Sequence, residues 1–395
     1  MINPRFRKVY LLLSQHNTPL IFIEMLVWIV SIGGIAFLWN KWFIPGPYGP
    51  YRWIGMDFVP YWVGVRQMTH GISPYSIETT LKIQQAVYGG PAINVDPMMF
   101  VYPAYMFILV APLELLPLNW AVALFAGTLT WGLINLILVL SFQWSKKFSR
   151  RVILEIVLVM GSLPFFVISI SKGQIGYLGI GAMFIAWRLW DRKPFWSGTV
   201  LGLAIIKPTA IIIPVIGYLF WSLLKKNFIP IYGFLFTITI LTAGSLLAVG
   251  NWIPSYLDVL KTGGGAPVIW SLQALFFPWN IIYVIFLVAL LIYAMRISIY
   301  KSDYNLWMSA FILAGIAFFP MRWIYDLFLG ILIPSQEKNL SVFSMLGVSL
   351  ALISPWSLIL LPESSRWNFA AITIPLAWAL SLIIIIRDHN HISMQ

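Results

Sequence analysis

Long uninterrupted runs of apolar residues dominate the chain, and short polar segments separate them. The first complete run, Leu20 to Trp39, is long enough to cross a bilayer as one helix. Later apolar runs lie at about 103–142, 152–170, 176–190, 195–206, 209–224, 229–249, 280–295, 305–319, 323–334, 341–361 and 369–386. The runs do not alternate as the strands of a membrane β-barrel do. The pattern predicts an all-α polytopic membrane protein with about 12 spans, within a range of roughly 10 to 13.

Two of these runs do not fit simple crossings. The run at 103–142 is long enough for two crossings, whereas the charge pattern of the flanking segments requires an odd number. Either Tyr102–Pro117 dips into the membrane and returns, or one span is tilted and broken. The run at 195–206 is too short to cross comfortably, because a helix rises only about 1.5 Å per residue.

A long segment without a predicted span follows the first crossing, from Asn40 to roughly Met99. Loops of this length inside a compact protein are usually functional. Its sequence predicts two short amphipathic helices, ended by Gly71 and Gly89, whose aromatic and basic residues suit a membrane surface. We expect one integral membrane domain over residues 1–395, with residues 40–99 as an extracytoplasmic loop that carries the candidate catalytic Asp.

The composition supports this class of protein. Apolar residues make up 60% of the chain and charged residues only 10%, whereas a soluble domain carries about 25% charged residues. A soluble globular enzyme and a disordered protein are therefore excluded. The chain has no cysteine and four histidines, which leaves almost nothing for thiol chemistry or a metal site. We expect neither a metal nor another cofactor.

The net charge of +12 indicates cytoplasmic anchoring and contact with anionic membrane lipids rather than binding of nucleic acid. If both termini are cytoplasmic, 16 of the 25 Lys and Arg residues fall on the inner side. The short inner loops are then the ones dense in positive charge, as the positive-inside rule requires. We predict a multi-pass plasma-membrane protein whose active site lies on the extracytoplasmic side.

A few charged residues lie where charge is costly. Asp57 follows the first span and can serve either as a helix cap or as a general base at the membrane face. Lys207 lies between two apolar runs and can either snorkel to the interface or hold a phosphate. Arg322 has the same two interpretations. Lipid-headgroup contacts are the more common role for basic residues placed like Arg66, Lys82 and Lys172.

Aromatic and amide side chains at the predicted outer interface extend the candidate set. Tyr61, Tyr75 and Tyr102 can belong to an interfacial aromatic belt, which is the common role of such residues. They can also form walls against the faces of sugar rings. Gln174, in KGQIGYL, can cap a helix or bind a hydroxyl group.

These segments together resemble a known family. DFVPYWVGVRQMTHGISPYS resembles the signature of glycosyltransferase family 87, bacterial enzymes that depend on polyprenol-phosphate sugars. The residues that carry this likeness are Asp57, Phe58, Tyr61, Gly71, Pro74 and Tyr75. Further likenesses follow in family order in FVYPAYMFILVAPLELLP, KGQIGYL, SGTVLGLAIIKPTAIIIPVI and FFPMRWIYDLFLGILIP. Ala104 stands where the family has a second proline.

The resemblance implies a GT-C fold, which is a multi-span helical bundle with an extracytoplasmic first loop of juxtamembrane helices. It also implies an inverting, metal-independent transfer of a sugar, typically mannose, from a polyprenyl phosphate to a glycolipid, glycan or protein. Asp57 is then the expected general base, and Lys207 and Arg322 are the expected ligands of the donor phosphate. The expected sugar or acceptor contacts are Tyr61, Tyr75, Tyr102, Gln174, Tyr325 and Asp326.

Two other classes of function stay open on the sequence. A polytopic transporter or lipid flippase would also be apolar, but such proteins usually show internal repeats and ionisable groups at mid-membrane. The chain shows no convincing repeat, and its candidate charges cluster near the predicted outer face. A membrane scaffold without catalytic activity is the third hypothesis.

Overall fold

The computed structural model describes residues 17–95, 97–145, 172–208, 211–261, 279–318, 330, 332–335, 350–351 and 363–392. Within these ranges the regular structure is helical, apart from a short antiparallel ribbon of β1 (Phe43–Ile44) and β2 (Tyr51–Arg52). The predicted class, an all-α polytopic membrane protein, is confirmed.

The helices are numbered here in chain order. They are α1 (Asn17–Lys41), α2 (Val59–Thr69), α3 (Ile77–Tyr88), α4 (Phe107–Glu114), α5 (Leu118–Ser145), α6 (Gly176–Leu189), α7 (Pro194–Ala204), α8 (Ile212–Leu224), α9 (Ile229–Val249), α10 (Ile253–Lys261), α11 (Trp279–Lys301), α12 (Tyr304–Phe318), α13 (Leu332–Ser335) and α14 (Glu363–Ile392). A 3-10 turn, Ala104–Met106, leads into α4.

Three of the described helices are long and apolar enough to cross a membrane, namely Phe22–Lys41 within α1, all of α9, and Ile281–Lys301 within α11. Shorter apolar segments occur in α6, α8, α12 and α14. The predicted runs at 152–170, 323–334 and 341–361 lie wholly or mostly outside the described residues. The total of about 12 spans therefore stays a prediction.

The first ambiguous run contains a sharp bend. Ala104–Glu114 and Leu118–Asn135 are together apolar enough for one span, but their axes are bent by 115°. Pro117 has no N–H to continue the helical ladder, and the indole nitrogen of Trp62 donates to the Leu113 carbonyl oxygen at 3.3 Å. A straight crossing by these residues is excluded, so the re-entrant and broken-span alternatives both stay open.

Helices α6, α7 and α9 pack closely together. Gly198 and Gly202 on α7 face Gly233 and Thr237 on α9, and a Cβ atom at Gly198 would lie 1.8 Å from the Pro230 carbonyl oxygen. Small residues at this spacing let the backbones of two membrane helices approach closely. The short α7 is thus fixed against a full-length apolar helix, although it is itself only 11 residues long.

The connections that the sequence places on the inner side lie together. Lys225, after α8, donates to the Ser302 hydroxyl at 2.8 Å. Trp190, after α6, stacks on Tyr304 at the start of α12 with ring centroids 4.8 Å apart. Because α6 and α7 form an antiparallel hairpin, the segments before α6 and after α7 lie at the opposite end.

The predicted outer loop contains the two expected helices. Helix α2 ends at Thr69, shortly before Gly71, and α3 ends at Tyr88 with Gly89 as its left-handed C-cap. The amphipathic character predicted for the first of them is wrong. Arg66 and Thr69 are the exposed residues of α2, and the rest of that helix is buried because it packs against α3, α4 and α9.

The sidedness of the two ends can be tested because the chain contains no cysteine. Ile93, in the predicted outer loop, is 52% exposed, and Asp191, in a predicted inner loop, is also exposed. We expect a membrane-impermeant maleimide to label Ile93→Cys in intact cells and Asp191→Cys only after permeabilisation. Labelling of Asp191→Cys in intact cells would contradict the predicted orientation.

Candidate functional site

Two tight turns from distant parts of the chain meet at one end of the helices. One carries Asp57 and leads into α2, and the other, residues 172–174, leads into α6. The Asp57 backbone N–H donates to the Lys172 carbonyl oxygen at 2.9 Å. Gly173 has φ +73, and a Cβ atom there would lie 3.3 Å from the Gly55 Cα atom. Glycine is the residue that adopts this left-handed conformation at low cost and tolerates such close contact.

The side chain of Gln174 connects an acid to a base at this junction. Its Nε2 donates a hydrogen bond to Asp57 Oδ2, and its Oε1 accepts one from Lys207 Nζ at 2.9 Å. Both ends of the amide are engaged, so its orientation is fixed, because the oxygen can only accept and the NH₂ group can only donate. Gln174 is 2% exposed and Lys207 is 3% exposed.

The arrangement compensates the positive charge of the buried Lys207 ammonium. A buried ammonium group is costly unless it is hydrogen-bonded and close to opposite charge. The Gln174 amide oxygen accepts the hydrogen bond from Lys207, and its NH₂ group donates to the carboxylate of Asp57. The negative charge of Asp57 is therefore linked to the ammonium through one amide group. Asp57 is only half-buried. The site therefore combines a partly exposed acidic residue with a buried positive charge.

The turn that carries Lys207 is held from a third part of the chain. Lys207 follows the end of α7, and the Tyr105 hydroxyl donates to the Ile205 carbonyl oxygen at 2.8 Å. Tyr105 is not among the residues that the sequence points to. The available signal is its place in the Tyr-Pro segment, two residues after Pro103, where a 3-10 turn directs it inward.

The predicted tyrosines form one aromatic patch beside Asp57. The rings of Tyr61 and Tyr102 have centroids 4.3 Å apart, and the Tyr75 hydroxyl donates to the Tyr102 carbonyl oxygen at 2.7 Å. Burial raises the pKa of Tyr75 above its ordinary value, so its hydroxyl stays protonated and remains a donor. Tyr61 is fully buried; in this structure it supports Tyr102 and offers no surface to a ligand.

Helix α10 adds a tyrosine that the sequence does not single out. The Tyr256 ring lies 6.0 Å from that of Tyr75, and burial raises the pKa of Tyr256 to about 12. Ile253 and Leu257, which share the apolar face of α10 with Tyr256, are exposed apolar residues. The signal is the amphipathic pattern of this short helix, whose apolar face carries the partly buried tyrosine.

Four further candidate residues are Lys172 and three residues of the FFPMRWIYD segment. Arg322, Tyr325 and Asp326 lie outside the described residues. The Lys172 ammonium lies 4.5 Å from the centroid of the Trp53 ring, a cation–π contact beside the Asp57 turn. Among the residues that the structure describes, no group of three or more His, Asp and Glu side chains is placed to hold a metal ion.

The long apolar helices and the charged site at one end define an α-helical membrane protein. Comparison with protein-family models matches residues 100–355 to glycosyltransferase family 87, which is 256 of the 395 residues. The chain belongs to this family and is a membrane glycosyltransferase with a sugar donor and an acceptor. Comparisons with curated proteins and with solved structures gave no significant match.

The matched region does not include the whole candidate site. Tyr102, Gln174 and Lys207 lie inside it, whereas Asp57 and the α2 segment precede residue 100. The hydrogen bond between Gln174 and Asp57 joins the two parts of the site. The contribution of the acid thus depends on the tertiary contact as well as on the family match.

We expect Gly173→Ala to destabilise the protein by about 1–2 kcal/mol, because an L-residue is strained in the left-handed region. A thermal-unfolding measurement on the purified protein checks this. Gly181→Ala, in α6, is the matched control, since a Cβ atom there would meet nothing within 4 Å. Equal melting temperatures for the two variants would refute the role assigned to the turn.

Proposed function

We propose that this glycosyltransferase moves mannose from a polyprenyl phosphate to an extracytoplasmic acceptor, with inversion at the anomeric carbon and Asp57 as general base. The observation that carries the proposal is the connection of Asp57 through Gln174 to Lys207. This connection brings a partly exposed acidic residue and a buried ammonium into one site, and such a transfer needs both groups. The implied acceptors are a glycolipid, a glycan or a protein.

The carboxylate acts on the acceptor. Asp57 takes the proton from the attacking hydroxyl group as its oxygen forms a bond to the anomeric carbon. The bond between that carbon and the phosphate oxygen breaks through an oxocarbenium-like transition state, as in glycoside cleavage. The electron pair leaves with the polyprenyl phosphate. A phosphate leaves without protonation, so no separate general acid is required.

The ammonium acts on the donor. Lys207 donates to Gln174, and its positive charge stabilises the negative charge that develops on the leaving phosphate. Arg322 is proposed as a second phosphate ligand, and Tyr325 and Asp326 as contacts of the sugar. Gln174 is engaged at both ends of its amide, so we assign it to positioning Asp57 rather than to binding sugar.

Helix length favours a lipid-linked donor. Helix α6 has 14 residues and therefore spans about 21 Å, against about 30 Å for the hydrocarbon core of a bilayer. With the other end of α6 at one interface, Gln174 and the neighbouring Lys207 lie recessed from the opposite interface. A phosphate that is anchored by a polyprenyl chain can reach such a depth, because its tail remains in lipid.

Family membership decides between the classes of function that the sequence left open. A glycosyltransferase family is matched over most of the chain, so the transporter and scaffold hypotheses are replaced. The donor sugar, the polyprenyl carrier and the acceptor belong to the proposal, because they depend on the resemblance and on the geometry of the site.

Substitution of the base gives a direct test. We expect Asp57→Asn to lower sugar transfer at least about 100-fold, because the variant lacks the group that accepts the proton. An asparagine oxygen can still accept the hydrogen bond from Gln174, but it no longer compensates the charge of Lys207, so thermal unfolding of the purified variant must show that it is folded. Mass spectrometry of products from polyprenyl-phosphate-mannose and candidate acceptors measures the transfer.

Asp258→Asn is the matched control, because this exposed acid on α10 pairs only at the surface with Lys261, at 2.9 Å. It should retain full activity. Wild-type transfer by Asp57→Asn would remove Asp57 from the mechanism.

The positioning role of Gln174 has its own signature. Gln174→Leu removes the donor to the Asp57 carboxylate, which favours the protonated form of that acid. We expect the acidic limb of the activity profile to move to higher pH, by about one unit, in addition to a fall in kcat. A lower rate with an unchanged pH profile would show that Gln174 has only a structural role.

A further inference from the structure

A second concave site lies beside the turn that carries Asp57. It is a cavity of about 270 Å³ between the β-ribbon, the C-terminal end of α3 and the start of α2. Its polar and aromatic walls are formed by Trp39, Tyr48, Tyr51, Arg52, Gln85 and Tyr88. These residues precede the region matched to the family, and none of them belongs to the site described above.

The aromatic walls are held in place by close packing. The rings of Tyr51 and Tyr88 meet edge to face with centroids 5.1 Å apart. A Cβ atom at Gly46 would lie 2.4 Å from the Tyr51 ring, and one at Gly90 would lie 2.7 Å from the Tyr48 ring. The glycine backbones therefore lie directly against the rings. The cavity is preformed, which lowers the entropy cost of binding a ligand.

The cavity has an apolar floor and a polar rim. Trp39 and Tyr88 are buried at 5% and 3% exposure, whereas Tyr48 is 47% exposed, and Arg52 and Gln85 are also exposed. The Arg52 guanidinium carbon lies 5.2 Å from the centroid of the Trp39 ring and 5.3 Å from that of the Phe43 ring. A cation–π contact engages the positive charge without using a hydrogen-bond acceptor, so the exposed guanidinium can offer its N–H donors to a ligand.

This combination matches the chemistry of a sugar ring. The C–H face of a pyranose is apolar and can pack on aromatic rings, while its hydroxyl groups require donors and acceptors at the edge. The rim supplies these through the guanidinium of Arg52, the amide of Gln85 and the phenolic hydroxyl group of Tyr48. The volume lies just below the range of about 300–1,000 Å³ for small-molecule sites, which suits one sugar unit better than a lipid chain.

We propose that this cavity binds a sugar unit of the acceptor, adjacent to the unit whose hydroxyl group reacts. The inference rests on the proposed function and narrows the acceptor to one that already carries sugar, a glycan or a glycolipid. Met56 and Val59 line the cavity and flank Asp57 along the chain. A glycan bound in the cavity would extend along the turn formed by these residues to the carboxylate of Asp57.

Sugar binding can be measured without turnover. Saturation-transfer NMR on the purified chain in nanodiscs, titrated with methyl α-D-mannopyranoside, methyl β-D-glucopyranoside and methyl β-D-galactopyranoside, should show saturable binding of at least one of them. We expect Tyr48→Ala and Arg52→Ala each to weaken that binding at least about fivefold, from the loss of one stacking or hydrogen-bonding partner. Both side chains are at the exposed rim, so both variants should fold.

Trp42→Ala is the matched control, because this exposed aromatic residue lies next to the ribbon but does not line the cavity. It should bind sugar like the wild type. Absence of saturable sugar binding would overturn the inference, as would binding that neither rim variant weakens. Binding of inorganic phosphate alone, lost in Arg52→Ala, would also overturn it by showing an anion site.

Asp57→Asn separates this inference from the proposed catalytic role. The variant should bind the sugar probe as tightly as the wild type while losing transfer. An inactive Asp57→Asn in a protein that binds no sugar at the cavity would defeat only the acceptor site. A fully active Asp57→Asn in a protein that binds the probe would defeat only the assignment of the base.

Discussion

The burial of one ammonium group is the constraint around which this end of the protein is arranged. Lys207 is almost completely removed from solvent, and a charge in that position needs a hydrogen bond and opposite charge nearby. Gln174 supplies the first directly and reaches the second by donating to Asp57. The turns and helix ends around the site hold Asp57 and Lys207 within hydrogen-bonding distance of Gln174.

Two helices that are shorter than a membrane span, α6 and α7, bring these side chains together. The α6–α7 hairpin places Gln174 and Lys207 at the same end, and the close glycine contacts between α7 and α9 fix the hairpin against a full-length apolar helix. Gly173 allows the turn before α6 to contact the turn that carries Asp57. Polar groups within a membrane must find partners inside the protein, and short helices that finish at such partners allow charged side chains to be buried there.

The Asp57 turn also divides two chemically different surroundings. On one side lie the amide and the buried ammonium, which suit a charged phosphate. On the other side lie aromatic rings and a polar rim around a preformed cavity, which suit a neutral ring with hydroxyl groups. A carboxylate between the two can take a proton from one substrate as the other departs.

The sequence by itself determined the class of protein, the first span, the two helices of the long loop and the positions of the candidate charges. Each of these depends on local composition and periodicity, which a single chain displays directly. The tertiary structure alone decided that α2 is buried, that Tyr105 holds the Lys207 turn, and that Gln174 bridges two charges. The physical reason is separation: Gln174 lies 117 residues from Asp57 and 33 from Lys207, and only helix packing brings such distant side chains together.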